Sequence, residues 1–354
     1  MKPLKVLFFL HAFAGGGAEK QCAYLANALA KLGHIDVGLV HFHEGVNFPL
    51  IDASRVKLHK IPVRSNYDPV AAWKLRKLIV EEGPDVVFSW LHTADVFTLM
   101  ARAMGARFKW LMAERNSWYP LDVRFLVRSW FCRYADAIVS NSEKGDFYWA
   151  HRHVPSERRH VIGNILPDHW FESSARCESS PLVCYAGRFE PQKNVLRVAK
   201  AFSVLSWRRT DVAMVMVGTG TQQALVTDEV ANGREGKIDL HAYQQDVAEL
   251  FRRVSVFVNL SWHEGLPNTV IENIALGNRV VLSRIPEHVS LVGEDYPFLV
   301  DAGADPDTLA SAIEAALATP VTPTELVHFH RRLGAMRVLA VAESYALLLQ
   351  RVAA

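Results

Sequence analysis

Short runs of β-branched and aromatic residues alternate with longer amphipathic segments along almost the whole chain. The first half contains the runs KVLFFLHA, IDVGLVHF, DVVFSW, KWLMAE and DAIVSNS, and the first two flank the alanine-rich, helix-periodic segment AEKQCAYLANALAKLG. The rhythm begins again with LVCYAGRF, VAMVMVG, KIDLHAY, VSVFVNLS and RVVLS. Strands that alternate with helices in this way form parallel sheets with crossover helices. The pattern therefore predicts an α/β fold.

The alternation of strand-like and helix-like segments is interrupted near the middle of the chain by a stretch rich in Ser and Glu. The 354 residues exceed what one ordinary core needs and suit two domains. We expect a Rossmann-like domain over 1–168, a linker over 169–180, a second Rossmann-like domain over 181–335 and a final helix over 336–354. A ligand would bind in a cleft between the two doubly wound domains, at the C-terminal ends of their strands.

The apolar runs and the cysteines indicate the compartment. Each apolar run is shorter than the roughly 18 to 20 residues that span a bilayer. The first run lacks a signal-peptide cleavage site and continues into glycines. The four cysteines have no paired spacing, which predicts neither a disulfide framework nor a zinc site. We therefore expect a cytoplasmic protein with reduced cysteines.

Charge is distributed unevenly along the chain. The part before residue 170 has 22 Lys and Arg against 16 Asp and Glu, and the rest has 17 against 21, so the net charges are about +6 and −4. Such asymmetry predicts an anionic partner for the first domain. In residues 107–134, Arg and Lys alternate with Trp, Phe and Tyr, as at the interface of an anionic membrane. Core aromatics beside solvated cations would give the same composition.

Two glycine-bearing turns follow predicted strands. In FAGGGAEK, Gly15, Gly16 and Gly17 would let backbone N–H groups approach an anion at a helix N-terminus. A glycine-rich turn without a ligand is the alternative, because the spacing does not fit G-x-G-x-x-G. In AGRFEPQKN, a strand ends before Arg188 and Lys193, which could clamp a diphosphate. Two solvated surface cations are the alternative there.

The segment EGLPNTVIE places Glu264 and Glu272 after the strand VSVFVNLS, with seven residues between them. The following NTVIENIALG predicts a helix that Asn268 or Thr269 caps and that Gly277 ends. Both acids would then face the cleft, with Glu264 in the loop and Glu272 in the first turns of the helix. Carboxylates there can accept hydrogen bonds from the hydroxyls of a sugar or a ribose. A capping or dipole-stabilising role is the alternative.

These three segments, in this order, resemble glycosyltransferase family 4, a family of retaining nucleotide-sugar enzymes with the GT-B fold. The resemblance covers nearly the whole chain and implies two Rossmann-like domains facing a cleft, with the last helix crossing back to the first domain. It implies a retaining, metal-independent transferase (EC 2.4) that moves a hexose or N-acetylhexosamine from a nucleotide-diphosphate sugar, UDP favoured over GDP. The acceptor would be a lipid-linked saccharide in cell-surface polysaccharide synthesis. No cofactor is expected beyond the donor, which is a co-substrate.

The resemblance also implies roles for individual residues. Arg188 and Lys193 would hold the donor diphosphate, Glu264 would contact the transferred sugar, and Glu272 would bind the ribose. His92, in SWLHTADV, would lie beside the sugar, with a helix-start histidine without ligand as the alternative. The remaining substrate contacts would come from Gly16, Gly17, Gly187, Gly265, Leu266, Pro267, Asn268 and Thr269, and on the acceptor side from Arg115 and Asn116.

Two segments depart from the family pattern, and two other functions fit the same fold. SRIPEHVSLV lacks the usual glycine pair before Glu287, and VIGNILP displaces a glycine to Gly163. The alternatives are a nucleotide-sugar epimerase and a non-catalytic partner of a transferase, although E-x7-E favours transfer. We expect a peripheral enzyme at the inner face of the cytoplasmic membrane, without nucleic-acid partners. The sequence leaves the oligomeric state open.

Overall fold

The computed structural model describes residues 2–65, 68–116, 119, 122–172, 180–244 and 246–354. The chain divides into two compact units. The first unit comprises Met1–Ile165 and Ala335–Ala354, and the second comprises Leu166–Gly334. In the described residues, no helix is long and apolar enough to cross a membrane.

The first unit is built on a seven-stranded parallel sheet in the order β3-β2-β1-β4-β5-β6-β7. Its strands are β1 (Leu4–Leu10), β2 (Ile35–His41), β3 (Lys57–Lys60), β4 (Val86–Trp90), β5 (Lys109–Glu114), β6 (Ala137–Ser140) and β7 (Arg159–Val161). Its first helices are α1 (Gly17–Lys31), α2 (Pro69–Glu82), α3 (His92–Ala103), α4 (Val123–Cys132) and α5 (Glu143–Ala150).

Helices cover both faces of this sheet, and β1 shows why its sequence is continuously apolar. Phe8 and Leu10 pack in one core cluster with residues of α1, whereas Leu7 and Phe9 pack in another with residues of α2 and α3. Successive strand residues point to opposite faces, so a strand covered on both sides needs apolar residues at every position.

The second unit contains a six-stranded parallel sheet in the order β10-β9-β8-β11-β12-β13. Its strands are β8 (Leu182–Ala186), β9 (Ala213–Val217), β10 (Ile238–His241), β11 (Val256–Asn259), β12 (Arg279–Ser283) and β13 (Leu299–Val300). Its helices are α6 (Val195–Arg208), α7 (Gln223–Ala231), α8 (Ala248–Arg253), α9 (Asn268–Ala275), α10 (Pro286–Val292), α11 (Pro306–Leu317) and α12 (Pro323–Leu333). Two doubly wound parallel sheets are thus present, as the sequence predicted.

The last helix, α13 (Val338–Ala353), belongs to the first unit. It packs against α1, β4 and β5. Tyr345 on α13 lies with its ring 5.8 Å from that of Phe88, and its hydroxyl accepts a 2.8 Å hydrogen bond from Nη2 of Arg115. The predicted return of the chain to the first domain is confirmed.

One predicted helix cap is wrong. Helix α9 begins at Asn268, and Pro267 occupies the N-cap position without a side-chain hydrogen bond, so neither Asn268 nor Thr269 caps the helix. Pro267 has an extended backbone, with φ −79° and ψ 96°, and its side chain has no atom that could accept a capping hydrogen bond. At the other end Gly277 has φ +77° and ends the helix as predicted.

The predicted linker over 169–180 begins with residues that pack in the second unit. A 3₁₀ helix spans Asp168–Phe171. The ring of Trp170 lies 5.9 Å from that of Phe251, and the ring of Phe171 lies 5.2 Å from that of His330. Residues 173–179, among them Cys177, lie outside the described residues, and the other three cysteines are free and buried.

Candidate functional site

The C-terminal edge of the second sheet brings two predicted site residues into contact. The ammonium Nζ of Lys193, in the turn after β8, lies 2.6 and 2.7 Å from the two carboxylate oxygens of Glu264, in the loop after β11. Their side chains are only 17% and 6% exposed. In a parallel sheet the C-terminal strand ends share one edge, which explains how residues 71 positions apart meet there.

A second hydrogen bond holds the Glu264 carboxylate. The Ser261 hydroxyl donates to its Oε1 at 2.6 Å. The Ser261 backbone is fixed in turn, because its N–H donates to Oδ1 of Asn259 at 3.1 Å and its carbonyl accepts from the Ser283 hydroxyl at 2.6 Å. Ser261 and Ser283 are fully buried. Ser261 was not predicted as a site residue, although it lies three residues before Glu264.

These contacts decide the charge of Glu264. Burial raises the pKa of its carboxyl group, but the Lys193 charge and the hydrogen bonds from Lys193 and Ser261 outweigh burial and hold that pKa below its usual value. Glu264 is therefore ionised at neutral pH. The negative charge of Glu264 offsets the positive charge of the Lys193 ammonium.

The turn that carries Lys193 is joined to the loop that carries Glu264. The amide of Gln192 donates to the carbonyl of His263 at 2.9 Å, and the N–H of Trp262 donates to the carbonyl of Gln192 at 3.0 Å. Arg188 is exposed, and its Nη2 lies 3.4 Å from Oε1 of Gln192. The second predicted cation thus lies in the same turn, facing solvent.

Glycines after β9 allow a close approach to the Arg188 turn. A Cβ on Gly218, whose φ is +154°, would lie 1.9 Å from the carbonyl oxygen of Gly187. A Cβ on Gly220 would lie 2.4 Å from the carbonyl oxygen of Phe189. The segment VGTG is therefore needed for packing at this edge. Its sequence alone gave only a weak indication of a site.

Residues 265–269 connect the Glu264 loop to α9. Gly265 and Pro267 are buried, whereas Leu266, Asn268 and Thr269 are half-buried. Glu272 lies half-buried in the second turn of α9, eight positions after Glu264. The predicted placement of both acids along the chain is therefore correct.

In the first unit, Gly16 and Gly17 lie at the start of α1. Gly16 is the N-cap residue, and Gly17 is the first helical residue. The Glu19 carboxylate lies so close that a Cβ on Gly16 would be 2.1 Å from its Oε2. A helix N-terminus attracts negative charge, and here the helix's own glutamate is near the position predicted for an anion.

His92 begins α3 after a residue with an unusual backbone. Leu91 has φ +72° and ψ 162°, a conformation that non-glycine residues rarely adopt. The half-buried His92 ring lies 5.3 Å from that of Phe125 on α4. The histidine is therefore held at the C-terminal end of β4 by contact with the neighbouring helix.

Arg115 and Asn116 follow β5 and make contacts within the first unit. The Arg115 guanidinium lies 4.1 Å from the Trp90 ring centre and donates to Oδ1 of Asn164 at 3.3 Å, in addition to its bond with Tyr345. The N–H of Asn116 donates to Oε1 of Glu114 at 3.0 Å. In this structure Arg115 links β4, the segment after β7 and α13.

A buried polar network in the first unit, which includes Glu114 at the end of β5, was not predicted. Arg128 on α4 donates to Asp95 on α3 at 2.7 Å and to Glu114 at 2.9 Å, and Nε1 of Trp149 also donates to Glu114 at 2.9 Å. Burial raises the pKa of Asp95 to about 6 although Arg128 opposes this change. The partners lie on separate elements, so no local sequence pattern indicates the network.

Both halves of the chain match models of sugar-transferring enzymes. Residues 15–168 match the family described as Glycosyltransferase Family 4, and residues 180–319 match the family described as Glycosyl transferases group 1. The chain is a glycosyltransferase. The two matched segments correspond to the two structural units.

Relatives of this glycosyltransferase are found in several bacteria. It is 26% identical over 343 residues to the GalNAc-α-(1→4)-GalNAc-α-(1→3)-diNAcBac-PP-undecaprenol α-1,4-N-acetyl-D-galactosaminyltransferase of Campylobacter jejuni, with 92% of each chain covered. It is 27% identical over 339 residues to the lipopolysaccharide core biosynthesis glycosyltransferase LpsE of Rhizobium meliloti, with 91% of this chain and 92% of the relative covered.

A solved structure has the same fold. The crystal structure of Anabaena Alr3699/HepE in complex with UDP-glucose superposes with a TM-score of 0.82 at 17% identity, covering 98% of this glycosyltransferase and all of that chain. The predicted GT-B fold is confirmed.

Proposed function

We propose that this glycosyltransferase is a retaining member of family 4 that moves a hexose or N-acetylhexosamine from a UDP-sugar to a lipid-linked saccharide during cell-surface polysaccharide synthesis. The observation that carries the proposal is the buried pair of Lys193 and Glu264 beside the exposed Arg188. Cations suit a diphosphate, and a carboxylate suits sugar hydroxyls. The undecaprenol-linked acceptor of the Campylobacter relative and the UDP-glucose bound by the Anabaena protein support these substrate classes.

The reaction would depend on stabilising the leaving group. The bond between the anomeric carbon and the diphosphate oxygen breaks, the acceptor hydroxyl attacks from the same face, and its proton passes to the departing phosphate. Arg188 and Lys193 would stabilise the negative charge that develops on the diphosphate. These two cations would supply the charge that a metal ion supplies in other enzymes. Front-face attack needs no carboxylate nucleophile, in contrast to double displacement.

The other predicted residues of the second unit would contact the donor. Glu272, half-buried on α9, would accept hydrogen bonds from the ribose hydroxyls. Gly187 and residues 265–269 would line the donor pocket through their backbone. The substrate contacts of Gly16, Gly17, His92, Arg115 and Asn116 in the first unit stay predictions.

The outward face of α4 supports a membrane-bound acceptor. The exposed apolar residues of α4 and of the turn after it recur at helical spacing and form one stripe, which we call the α4 stripe: Val123, Leu126, Val127, Trp130, Phe131 and Tyr134. Arg133 lies with its guanidinium 4.4 Å from the Trp130 ring centre. Aromatic rings that alternate with cations suit the headgroup region of an anionic bilayer. The positive charge of the N-terminal half, about +6, has the complementary sign.

Only part of the 107–134 segment is exposed. Trp110 is fully buried in a core cluster with Met112 and Trp149, and Arg128 is buried in the ion network. These residues are core, as the alternative interpretation of the segment had it. The interfacial role is therefore proposed for the α4 stripe alone, whose exposed apolar side chains a bilayer would cover.

The test of the function begins with donors. Purified protein is heated with UDP- and GDP-sugars, and the donor that raises Tm most is incubated with an undecaprenyl-diphosphate-linked saccharide, with and without EDTA. We expect an extended lipid-linked product in both reactions and, by NMR, an unchanged anomeric configuration. A new free sugar nucleotide would instead identify an epimerase. Binding without any product would identify a non-catalytic partner.

A further inference from the structure

The Lys193 ammonium already has an anionic partner before any diphosphate binds. We propose that Lys193 exchanges partners, from Glu264 in the empty site to the donor diphosphate in the loaded one. Glu264 thereby lowers the affinity of Lys193 for the departing nucleoside diphosphate. Ser261 is the positioning residue that keeps Glu264 in place during the exchange. This inference rests on the proposed donor site.

The pairing of Lys193 with Glu264 opposes diphosphate binding electrostatically. Nζ of Lys193 contacts both carboxylate oxygens of Glu264, at 2.6 and 2.7 Å, and both side chains are largely buried. A diphosphate that approaches Lys193 must either draw the ammonium away from this carboxylate or accept the carboxylate charge nearby. Both cost binding free energy, because like charges repel strongly where water is scarce. Arg188 is exposed to solvent instead, and its Nη2 donates to the neutral amide of Gln192 at 3.4 Å.

The Glu264 carboxylate needs another hydrogen-bond donor when Lys193 moves away. A buried carboxylate without hydrogen bonds is strongly unfavourable. Ser261 keeps one bond to it, at 2.6 Å, and the Ser261 backbone is itself held by Asn259 and Ser283. This bond does not involve Lys193. The hydroxyl therefore lowers the cost of releasing the ammonium and makes the exchange possible.

The exchange has a consequence for turnover. Once the sugar has been transferred, the nucleoside diphosphate must dissociate before the next donor binds. The return of Lys193 to Glu264 replaces one cation contact of the product with an internal one. Glu264 would thus favour product release in addition to contacting the sugar.

Isothermal titration with UDP, and in parallel with GDP, tests the exchange. Glu264→Gln keeps the shape of the side chain and removes its charge, so we expect it to bind the preferred diphosphate roughly tenfold more tightly than wild type. Glu272→Gln is the matched control. It makes the same change in the same motif, at the residue predicted to bind the ribose. This variant should bind the nucleoside diphosphate more weakly than wild type.

Ser261 is tested by a double-mutant cycle. Ser261→Ala should weaken diphosphate binding about threefold to tenfold in the wild-type background, because Glu264 then loses a hydrogen bond that does not depend on Lys193. In the Glu264→Gln background the same change should have little effect, since no carboxylate charge remains to be held. A merely structural role of Ser261 would weaken binding equally in both backgrounds and would contradict the positioning role.

The outcomes separate this inference from the proposed function. If Lys193→Ala loses diphosphate affinity but Glu264→Gln binds no more tightly than wild type, the exchange is wrong and the donor site stands. If Lys193→Ala binds diphosphate as well as wild type, both are wrong. Should Glu264→Gln fail to fold, Glu264→Asp serves instead. Its shorter side chain withdraws the carboxylate from Lys193, and affinity should again rise, by a smaller factor.

Discussion

Nε of Arg128 on α4 lies 2.7 Å from Oδ2 of Asp95 on α3, and the two side chains are 2% and 0% exposed. The same guanidinium donates to Glu114 at 2.9 Å. A helix that presents an apolar stripe to solvent is thus fixed to the first unit by a charged residue on its inner side. The inner side of α4 also carries the fully buried Cys132, so the helix has apolar residues on both sides and not on a buried face alone.

Removal of this buried cation should destabilise the first unit. Arg128→Leu leaves two buried carboxylates without their cation, which costs roughly 3–5 kcal/mol in comparable sites. We expect a Tm lower by several degrees or more in thermal unfolding followed by circular dichroism. Arg133→Leu makes the same change at the residue that directly follows α4. It removes a cation–π contact and should lower the free energy of unfolding by about 1 kcal/mol or less. Equal losses of Tm in both variants would mean that the buried ion network stabilises the unit no more than the cation–π contact of Arg133 does.

Lys193→Ala should impair the transfer step. If Lys193 stabilises the departing diphosphate, its loss should lower kcat by roughly 10²-fold, by analogy with the loss of one oxyanion-stabilising donor. The circular dichroism spectrum should not change. Lys200→Ala is the control, since Lys200 is an exposed lysine on the adjacent α6. A Lys193→Ala enzyme with wild-type kcat would contradict the assignment.

The Lys193–Glu264 pair predicts a defined dependence of stability on pH. The pKa of Glu264 is lower in the folded protein than its usual 4.5, so the pair's contribution is complete above about pH 4.5 and is lost as the pH falls towards the folded value. Wild type should therefore unfold at a higher Tm than Glu264→Gln from neutral pH down to about 4.5, and the difference should shrink below that. A difference that stays constant into the acid range would not come from the carboxylate charge.

Much of the fold follows from the sequence because the strands are buried on both faces. The run VLFFL in β1 is continuously apolar since alternate residues enter two different core clusters. The strand order and the meeting of Lys193 with Glu264 require one further rule, that parallel strands end at a common edge. That rule brings the two residues close. It does not predict that the side chains pair with each other, because pairing also depends on contacts such as the hydrogen bond from Ser261 to Glu264.

Other features depend on packing that no local pattern encodes. Within 107–134, Trp110 is fully buried and Trp130 is 60% exposed, although both stand in similar basic and aromatic surroundings. The difference arises because Trp110 lies on a central strand, whereas the buried Arg128 turns Trp130 outward on α4. The cap of α9 could not be predicted from Asn268 and Thr269, because the preceding proline already provides the helix start.

The α4 stripe should govern binding to anionic membranes. Trp130→Glu with Phe131→Glu places two negative charges where the aromatic rings would enter the headgroup region, so the double variant should no longer co-sediment with anionic liposomes at low salt. Wild type should bind and should be released as salt rises, because the attraction of surface charges is screened within a Debye length. Trp207→Glu is the control, since Trp207 is 62% exposed but lies on α6 of the second unit. On a water-soluble saccharide acceptor the stripe variant should keep wild-type kcat. If wild type stays in the supernatant at every salt concentration, the α4 stripe does not bind membranes.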